Sequence, residues 1–162
     1  MASSVNNKET QAHLLFMSLA VELARTAYSN DEVPVGAVIV LRRNSEVLAA
    51  FSNQMRELKS SIAHAEMLAI QKATSVLQNE RLVGCDMYVS LEPCPMCAYG
   101  ISIARLDRLF YAASDPKTGG VEHGPKIFES SSCHHKPEVY SGVLASEASE
   151  LLKDFFQGKR NK

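Results

Sequence analysis

The sequence contains no tryptophan and no excess of either charge, since 17 lysines and arginines are balanced by 18 aspartates and glutamates. This balance excludes a strongly basic surface, so any binding of nucleic acid has to depend on local patches. No apolar run approaches the roughly 20 residues of a membrane-spanning helix. The N-terminal residues 1–7 lack the basic and apolar regions of a secretory signal and the arginines of a transit peptide. We therefore expect a cytoplasmic protein with no membrane partner.

Cysteine is also scarce, with four in 162 residues. In an intracellular sequence, such cysteines bind metal or take part in catalysis more often than they form a disulfide framework. A chain of this length fits one domain and buries roughly 70% of its unfolded surface. No repeat or linker divides the sequence. We expect a single domain over 1–162, with flexible ends at 1–8 and 158–162.

Two short segments, H-x-E and P-C-x-x-C, contain the chemically most informative residues. Zinc binds neutral imidazole and thiolate, and a catalytic zinc site keeps three protein ligands and one open position for water. His64, Cys94 and Cys97 supply three such ligands. Glu66 is then free to move protons. The combined pattern is typical of the zinc-dependent deaminases of nucleobases, and it predicts one zinc ion per chain.

Both segments are predicted to lie at the N-termini of helices. Apolar residues recur at helical spacing over 63–77. Residues 87–91 favour a strand, and Pro95 favours the start of the next helix, because proline suits the first helical position. The positive ends of two helices would therefore converge on the ion and help to keep both thiols ionised.

Two other interpretations of these cysteines remain open. A C-x-x-C pair also forms redox dithiols, although these need a thioredoxin-like pattern nearby. A closed structural zinc site would need a fourth ligand, and the candidates are Cys85, Cys133, His134 and His135. None of these repeats a paired ligand spacing. We expect Cys85 to pack as a small apolar residue, and His123, His134 and His135 to lie on the surface.

The rest of the chain predicts an α/β fold with a central mixed sheet of five strands. Four helices and five strands are expected. In chain order they are helix 9–28, strands 37–41 and 46–51, helix 63–77, strand 87–91, helix 95–104, strands 108–112 and 139–144, and helix 147–157. Ser146 is expected to cap the last helix and Gly158 to end it. The connection between strands 87–91 and 108–112 has the length of a crossover, so these two strands should be parallel.

Three further features are candidate contacts with a substrate. Residues 114–120 are turn formers, but they follow a strand at the sheet edge where open α/β sheets place their sites. The basic tail 159–162 is either a solvated end or a segment that binds phosphate beside Phe156, whose ring could stack on a base. Asn53 is either a turn residue or an amide available for hydrogen bonding.

The sequence resembles one family, the tRNA-specific adenosine deaminases, over about residues 12–160. The shared pieces are E-V-P-V-G-A (32–37), Asn53, H-A-E-M (64–67), L-E-P-C-P-M-C-A (91–98), D-P-K-T-G (115–119), S-G-V-L (141–144) and L-L-K-D-F-F (151–156). The zinc motif alone is shared with cytosine, guanine and deoxycytidylate deaminases. The D-P-K-T-G loop and the L-L-x-x-F-F end are more selective for the tRNA enzymes.

This resemblance implies the three-layer α/β/α cytidine deaminase-like fold and the conversion of the wobble adenosine of a tRNA anticodon to inosine, with release of ammonia. It implies that Asn53 hydrogen-bonds the flipped-out base, that Asp115 and Lys117 shape the pocket and contact neighbouring nucleotides, and that Phe156 and the tail touch the anticodon stem-loop. The family includes bacterial homodimers and eukaryotic heterodimers with an inactive subunit. The compact length and L-L-K-D-F-F favour a homodimer.

Two rival functions stay open on the residues alone. One is a deaminase of a free base or nucleotide, of the guanine or cytosine type. The other is a zinc-stabilised binding module without catalysis. The presence of Glu66 argues against the binding module, because a structural zinc site needs no free carboxylate beside its ligands.

Overall fold

Four α-helices and five strands make up the computed structural model, which describes residues 7–160. The described residues also contain one short 3₁₀ helix, Ile127–Glu129. In chain order the main elements are α1 (Asn7–Ser29), β1 (Gly36–Leu41), β2 (Glu46–Ser52), α2 (Ala65–Leu77), β3 (Cys85–Leu91), α3 (Pro95–Ile103), β4 (Arg108–Ala113), β5 (Glu138–Ser141) and α4 (Ala145–Arg160).

The strands form one mixed sheet in the order β2-β1-β3-β4-β5. Strand β1 runs antiparallel to both β2 and β3, whereas β3, β4 and β5 are parallel to one another. Helix α3 makes the predicted crossover between β3 and β4. The mixed sheet of five strands and the parallel pair are therefore confirmed.

Every residue of β1 is buried, because helices cover both faces of the sheet. Successive side chains of a strand point to opposite faces, so Ile39 belongs to the core that includes residues of α2 and α3, and Val38 to the core that includes residues of α1 and α4. Small residues let α2 lie close to the sheet, since Ala65, Ala69 and Ala73 are fully buried along one side of it. The result is the three-layer α/β/α arrangement that the resemblance implies.

The bounds of α4 differ from the prediction at both ends. The helix begins at Ala145, so Ser146 lies inside its first turn and does not cap it, and it continues through Gly158 to Arg160. A glycine weakens a helix interior by about 1 kcal/mol relative to alanine, which is too little to end it. Lys159 forms an ion pair with Asp31 and lies 5.3 Å from the centroid of the Phe155 ring, and both contacts hold the last turn.

Other element ends also shift. Strand β5 ends three residues earlier than predicted, where Gly142 adopts a left-handed backbone (φ +103°) that turns the chain away. Residues 7–8 and 158–160, expected to belong to flexible ends, lie in helices, while 1–6 and 161–162 fall outside the described residues. None of the helices within residues 7–160 is long and apolar enough to cross a membrane.

Candidate active site

The three predicted metal ligands meet where α2 and α3 begin. His64 is the N-cap residue of α2 and Cys94 is the N-cap residue of α3; both have an extended backbone, and neither side chain bonds to its own helix. Cys97 lies in the first turn of α3, after Pro95 has taken the first helical position. The predicted placement of both segments at helix N-termini is confirmed.

The separations of these side chains fit a zinc ion. His64 Nδ1 lies 3.7 Å from Cys94 Sγ and 3.5 Å from Cys97 Sγ. In a tetrahedral site with Zn–S of about 2.3 Å and Zn–N of about 2.0–2.1 Å, nitrogen and sulfur ligands are roughly 3.6 Å apart. All three ligand atoms lie within 4.8 Å of one another, and no other such group of His, Cys, Asp or Glu occurs within residues 7–160.

None of the candidate fourth ligands joins the cluster. Cys85 packs in the core, as predicted. Cys133 Sγ lies 3.1 Å from Ser102 Oγ. His135 Nε2–H donates to the carbonyl oxygen of Leu106 at 2.6 Å, and His134 is exposed. The geometry therefore gives a three-ligand site with an open position, as catalytic zinc sites have.

A hydrogen bond links the two thiols of the cluster and shifts their pKa values in opposite directions. A hydrogen bond from Cys97 holds the pKa of Cys94 down at about 4, against the effect of burial and with help from His64. The same hydrogen bond, together with burial and the nearby carboxylate of Glu66, raises the pKa of Cys97. A lowered pKa favours the thiolate form of Cys94, and thiolate is the form that zinc requires.

Glu66 lies in the first turn of α2, beside the cluster but outside it. Its side chain is buried, with the whole residue only 4% exposed, and burial raises its pKa, although a hydrogen bond with Cys97 and the charge of His64 oppose that shift. A carboxyl group with a raised pKa takes up and releases protons closer to neutral pH. Glu66 therefore has the properties of a proton shuttle.

A cavity of about 850 Å³ opens over the cluster and gathers the predicted substrate contacts. Among the residues that line it are Asn53, His64, Glu66, Cys94, Asp115, Lys117 and Phe156. The remaining predicted site residue, Cys97, is fully buried and joins the site only through the ligand cluster. Segments that are distant in the sequence are therefore brought together as predicted.

The amide of Asn53 has a role in the fold that the sequence did not indicate. Its Oδ1 accepts a hydrogen bond from the Ala65 backbone N–H at 2.8 Å, and its Nδ2 donates to the carbonyl oxygen of Val33 at 3.2 Å. The first N–H groups of a helix have no partner within it, so Asn53 caps α2 from a remote loop. One lone pair and one N–H of the amide remain for other partners.

The loop after β4 is organised by Asp115. Its Oδ1 accepts hydrogen bonds from the backbone N–H groups of Lys117 (3.2 Å) and Thr118 (2.9 Å), and its Oδ2 accepts one from Thr118 Oγ1 at 2.5 Å. Asp115 thereby fixes the turn that presents the exposed Lys117 to the cavity. Phe156 borders the same cavity from α4 with 46% of its surface exposed.

The sequence indicated neither the role of Glu92 nor the burial of His135. The Glu92 side chain is fully buried and lies 2.7 Å from His123 Nδ1. His135 is half-buried and hydrogen-bonded to the Leu106 carbonyl oxygen, so the expectation of a surface position was wrong for it. The His123 side chain bonds to Glu92 but is still 35% exposed, and His134 is exposed, so both lie at the surface as expected. One feature of the sequence could have pointed to Glu92. This acidic residue lies directly after an apolar strand and directly before the proline of the P-C-x-x-C segment.

Comparison with known proteins agrees with this geometry. Residues 10–113 match the family model of the cytidine and deoxycytidylate deaminase zinc-binding region. A tRNA-specific adenosine deaminase of Agrobacterium fabrum is 52% identical over 145 residues, which are 90% of this chain and 94% of that protein.

Solved structures give the same picture. One, from a study of adenosine-to-inosine editing by tRNA deaminases at the wobble position of transfer RNA, has a TM-score of 0.82 and 51% identity, and the match covers 85% of this chain and 99% of that one. A guanine deaminase from Bacillus subtilis has a TM-score of 0.61 and 31% identity over 91% of this chain and 93% of that one. The chain therefore belongs to the family with the cytidine and deoxycytidylate deaminase zinc-binding region and, within it, to the tRNA-specific adenosine deaminases.

Proposed function

We propose that this chain hydrolyses the exocyclic C–N bond of the adenosine at the wobble position of a tRNA anticodon, leaving inosine and releasing ammonia. The observation that carries the proposal is the buried Glu66 carboxyl group beside the ligands His64, Cys94 and Cys97, at a cavity bordered by cations and an aromatic ring. Relatives that bear the name tRNA-specific adenosine deaminase cover almost the whole chain.

Glu66 is the group that moves protons in this proposal. A zinc ion bound by the three ligands would supply the Lewis acidity that activates water near neutral pH. Glu66 takes a proton from the attacking water and passes it to the ring nitrogen next to the reacting carbon. It then takes the remaining proton from the hydroxyl group added to that carbon and delivers it to the amine, so that the C–N bond breaks as the C=O bond forms. Positioned acid–base catalysis of this kind contributes about 10²–10⁴ in rate. Adenosine and one water thus give inosine and ammonia.

The dimensions of the cavity support a substrate larger than a free base. Its volume of about 850 Å³ falls in the upper part of the roughly 300–1,000 Å³ that pockets for drug-sized ligands occupy. Four cationic residues line it, and they are Lys117, Lys153, Lys159 and Arg160. Phosphates bind to such cations and bases stack on exposed aromatic rings such as Phe156. Asn53 retains the hydrogen-bonding capacity to hold the purine.

A free-base deaminase is the second candidate, because a guanine deaminase shares the fold at 31% identity. The two are separated by measuring ammonia release from four substrates in parallel: an anticodon stem-loop with adenosine at the wobble position, free adenosine, guanine and cytosine. We expect release from the stem-loop alone, with inosine at that one position. Release from guanine or cytosine, with none from the stem-loop, would contradict the tRNA assignment and retain the zinc chemistry.

The homodimer expected from the sequence also remains a proposal. Tyr99 and Ile103, one helical turn apart on α3, are 41% and 62% exposed and give that helix an apolar side. Light scattering after size-exclusion chromatography is expected to give twice the chain mass of 17.8 kDa. A single-chain mass at micromolar concentration would contradict it.

A further inference from the structure

A single buried carboxylate, that of Glu92, joins the segment before Cys94 to the loop after β4. We call residues 115–123 of that loop the clamp loop. Glu92 Oε1 accepts hydrogen bonds from the Asp115 backbone N–H (3.1 Å) and from His123 Nδ1 (2.7 Å). Both ends of the clamp loop are therefore bonded to one oxygen atom.

The second oxygen of the same carboxylate holds the far end of the loop. Glu92 Oε2 accepts hydrogen bonds from three successive backbone N–H groups, those of Val121 (3.2 Å), Glu122 (3.1 Å) and His123 (3.2 Å). All five partners are donors, and the carboxylate side chain has no exposed surface. Charge-assisted hydrogen bonds of this kind are about twice as strong as neutral ones.

Two glycines show how closely the clamp loop lies on this segment. A Cβ atom on Gly119 would lie 2.5 Å from Glu92 Oε2, and a Cβ atom on Gly120 would lie 2.5 Å from the backbone nitrogen of Pro95. The Gly120 N–H also donates to the carbonyl oxygen of Pro93 at 2.8 Å. The glycine that ends D-P-K-T-G and the one after it are thus explained by contact with Glu92 and Pro95.

The clamp loop presents its turn to the cavity. Lys117 and Thr118 line the cavity, and the Asp115 carboxylate bonds to the N–H groups of both. Asp115 in turn is bonded through its own backbone to Glu92. A displacement of Glu92 would therefore shift the turn that carries Lys117 and Thr118.

We propose that Glu92 is a positioning residue for the nucleic-acid substrate: its carboxylate fixes the clamp loop and thereby sets where Lys117 and Thr118 meet the RNA, while leaving the metal site and the chemical step to other residues. The RNA part of this proposal rests on the proposed function. Its structural part, that the Glu92 carboxylate fixes the clamp loop, does not depend on which reaction the protein catalyses.

Glu92→Gln tests the proposal with little change of shape. The variant replaces one acceptor oxygen by an NH₂ group, which is itself a hydrogen-bond donor. This group would face N–H donors of the clamp loop, and the hydrogen bonds that these donors made to the oxygen would be lost. We expect amide hydrogen exchange in residues 114–123 to accelerate about 10–100-fold, since a buried donor loses its partner. Glu129→Gln, which removes one exposed carboxylate elsewhere, is the matched control and should leave exchange in 114–123 unchanged.

Activity then separates positioning from chemistry. In single-turnover assays with the zinc-loaded enzyme and the anticodon stem-loop, Glu92→Gln is expected to raise the half-saturating concentration about tenfold, which corresponds to about 1.4 kcal/mol of binding free energy. The maximal rate should stay within about twofold, because lost binding alone raises KM and leaves kcat in place. Lys117→Ala should raise the half-saturating concentration in the wild-type background and add little in the Glu92→Gln background.

His123→Ala keeps the proposal testable if Glu92→Gln fails to fold. It removes one of the five donors from a half-exposed position, so smaller changes in the same direction are expected. Unchanged exchange in 114–123, loss of zinc, or a fall in maximal rate with unchanged half-saturation would each overturn the proposal. Faster exchange in an enzyme that deaminates only a free base would instead count against the proposed tRNA function.

Discussion

Asn53 offers a test that separates a structural role from a role in substrate binding. Asn53→Ala leaves the Ala65 N–H and the Val33 carbonyl without their side-chain partners. The Val33 carbonyl keeps its hydrogen bond from the Val35 N–H at 2.8 Å, so only the Ala65 N–H is left unpaired. A buried group left unpaired costs roughly 1–3 kcal/mol, and water entering from the adjacent cavity restores part of that loss. We therefore expect the free energy of unfolding to fall by about 1–2 kcal/mol.

Urea unfolding followed by circular dichroism measures this change. Asn44→Ala is the matched control, since its side chain also accepts a backbone hydrogen bond but lies in the exposed β1–β2 hairpin, and it should cost less than about 0.5 kcal/mol. The reasoning would be refuted if Asn53→Ala unfolded like the wild type and only raised KM for the stem-loop. Asn53 would then be a substrate contact with no part in holding α2.

Three further perturbations address the metal site, the packing and the pH dependence. Cys94→Ala should lose the zinc measured by atomic absorption and melt at a lower temperature, because loss of a direct ligand exceeds the 10–100-fold cost typical of outer-shell changes. Gly36→Ala should lower the free energy of unfolding by at least about 1–3 kcal/mol in urea titrations, since its Cβ would lie 2.1 Å from the Ala20 carbonyl oxygen. Burial, and secondarily the charge of Arg108, lowers the pKa of His13, so its contribution to stability is complete above the unfolded pKa of 6.5 and is lost as the pH falls towards the folded pKa. His13→Gln should flatten the stability curve measured between about pH 5 and 7.5.

The elements and the metal ligands could be predicted because their signals are local. A helical period over α2, a proline at the start of α3 and ligands at fixed spacing each lie within a few residues of one another. Burial on both faces of β1 was visible in its unbroken apolar run. The end of α4 was missed because it depends on Asp31, which lies 128 residues away from its partner Lys159.

The parts that escaped prediction are contacts between segments distant in the chain. The role of Glu92 depends on how the clamp loop folds back onto it, 23 to 31 residues later in the sequence. Cys133 and His135 are used in the same way, as partners of Ser102 and Leu106. Single residues of this kind show no period and no spacing, so only the folded chain reveals their partners.

The most direct test of the central claim is the zinc content and single-turnover rate of Glu66→Gln on the anticodon stem-loop. The variant keeps the shape of the side chain but cannot take up the proton of the attacking water. We expect zinc to remain at one ion per chain, while the rate falls at least about 10²–10⁴-fold. A fully active Glu66→Gln enzyme with stoichiometric zinc would contradict the assignment of Glu66 as the proton shuttle.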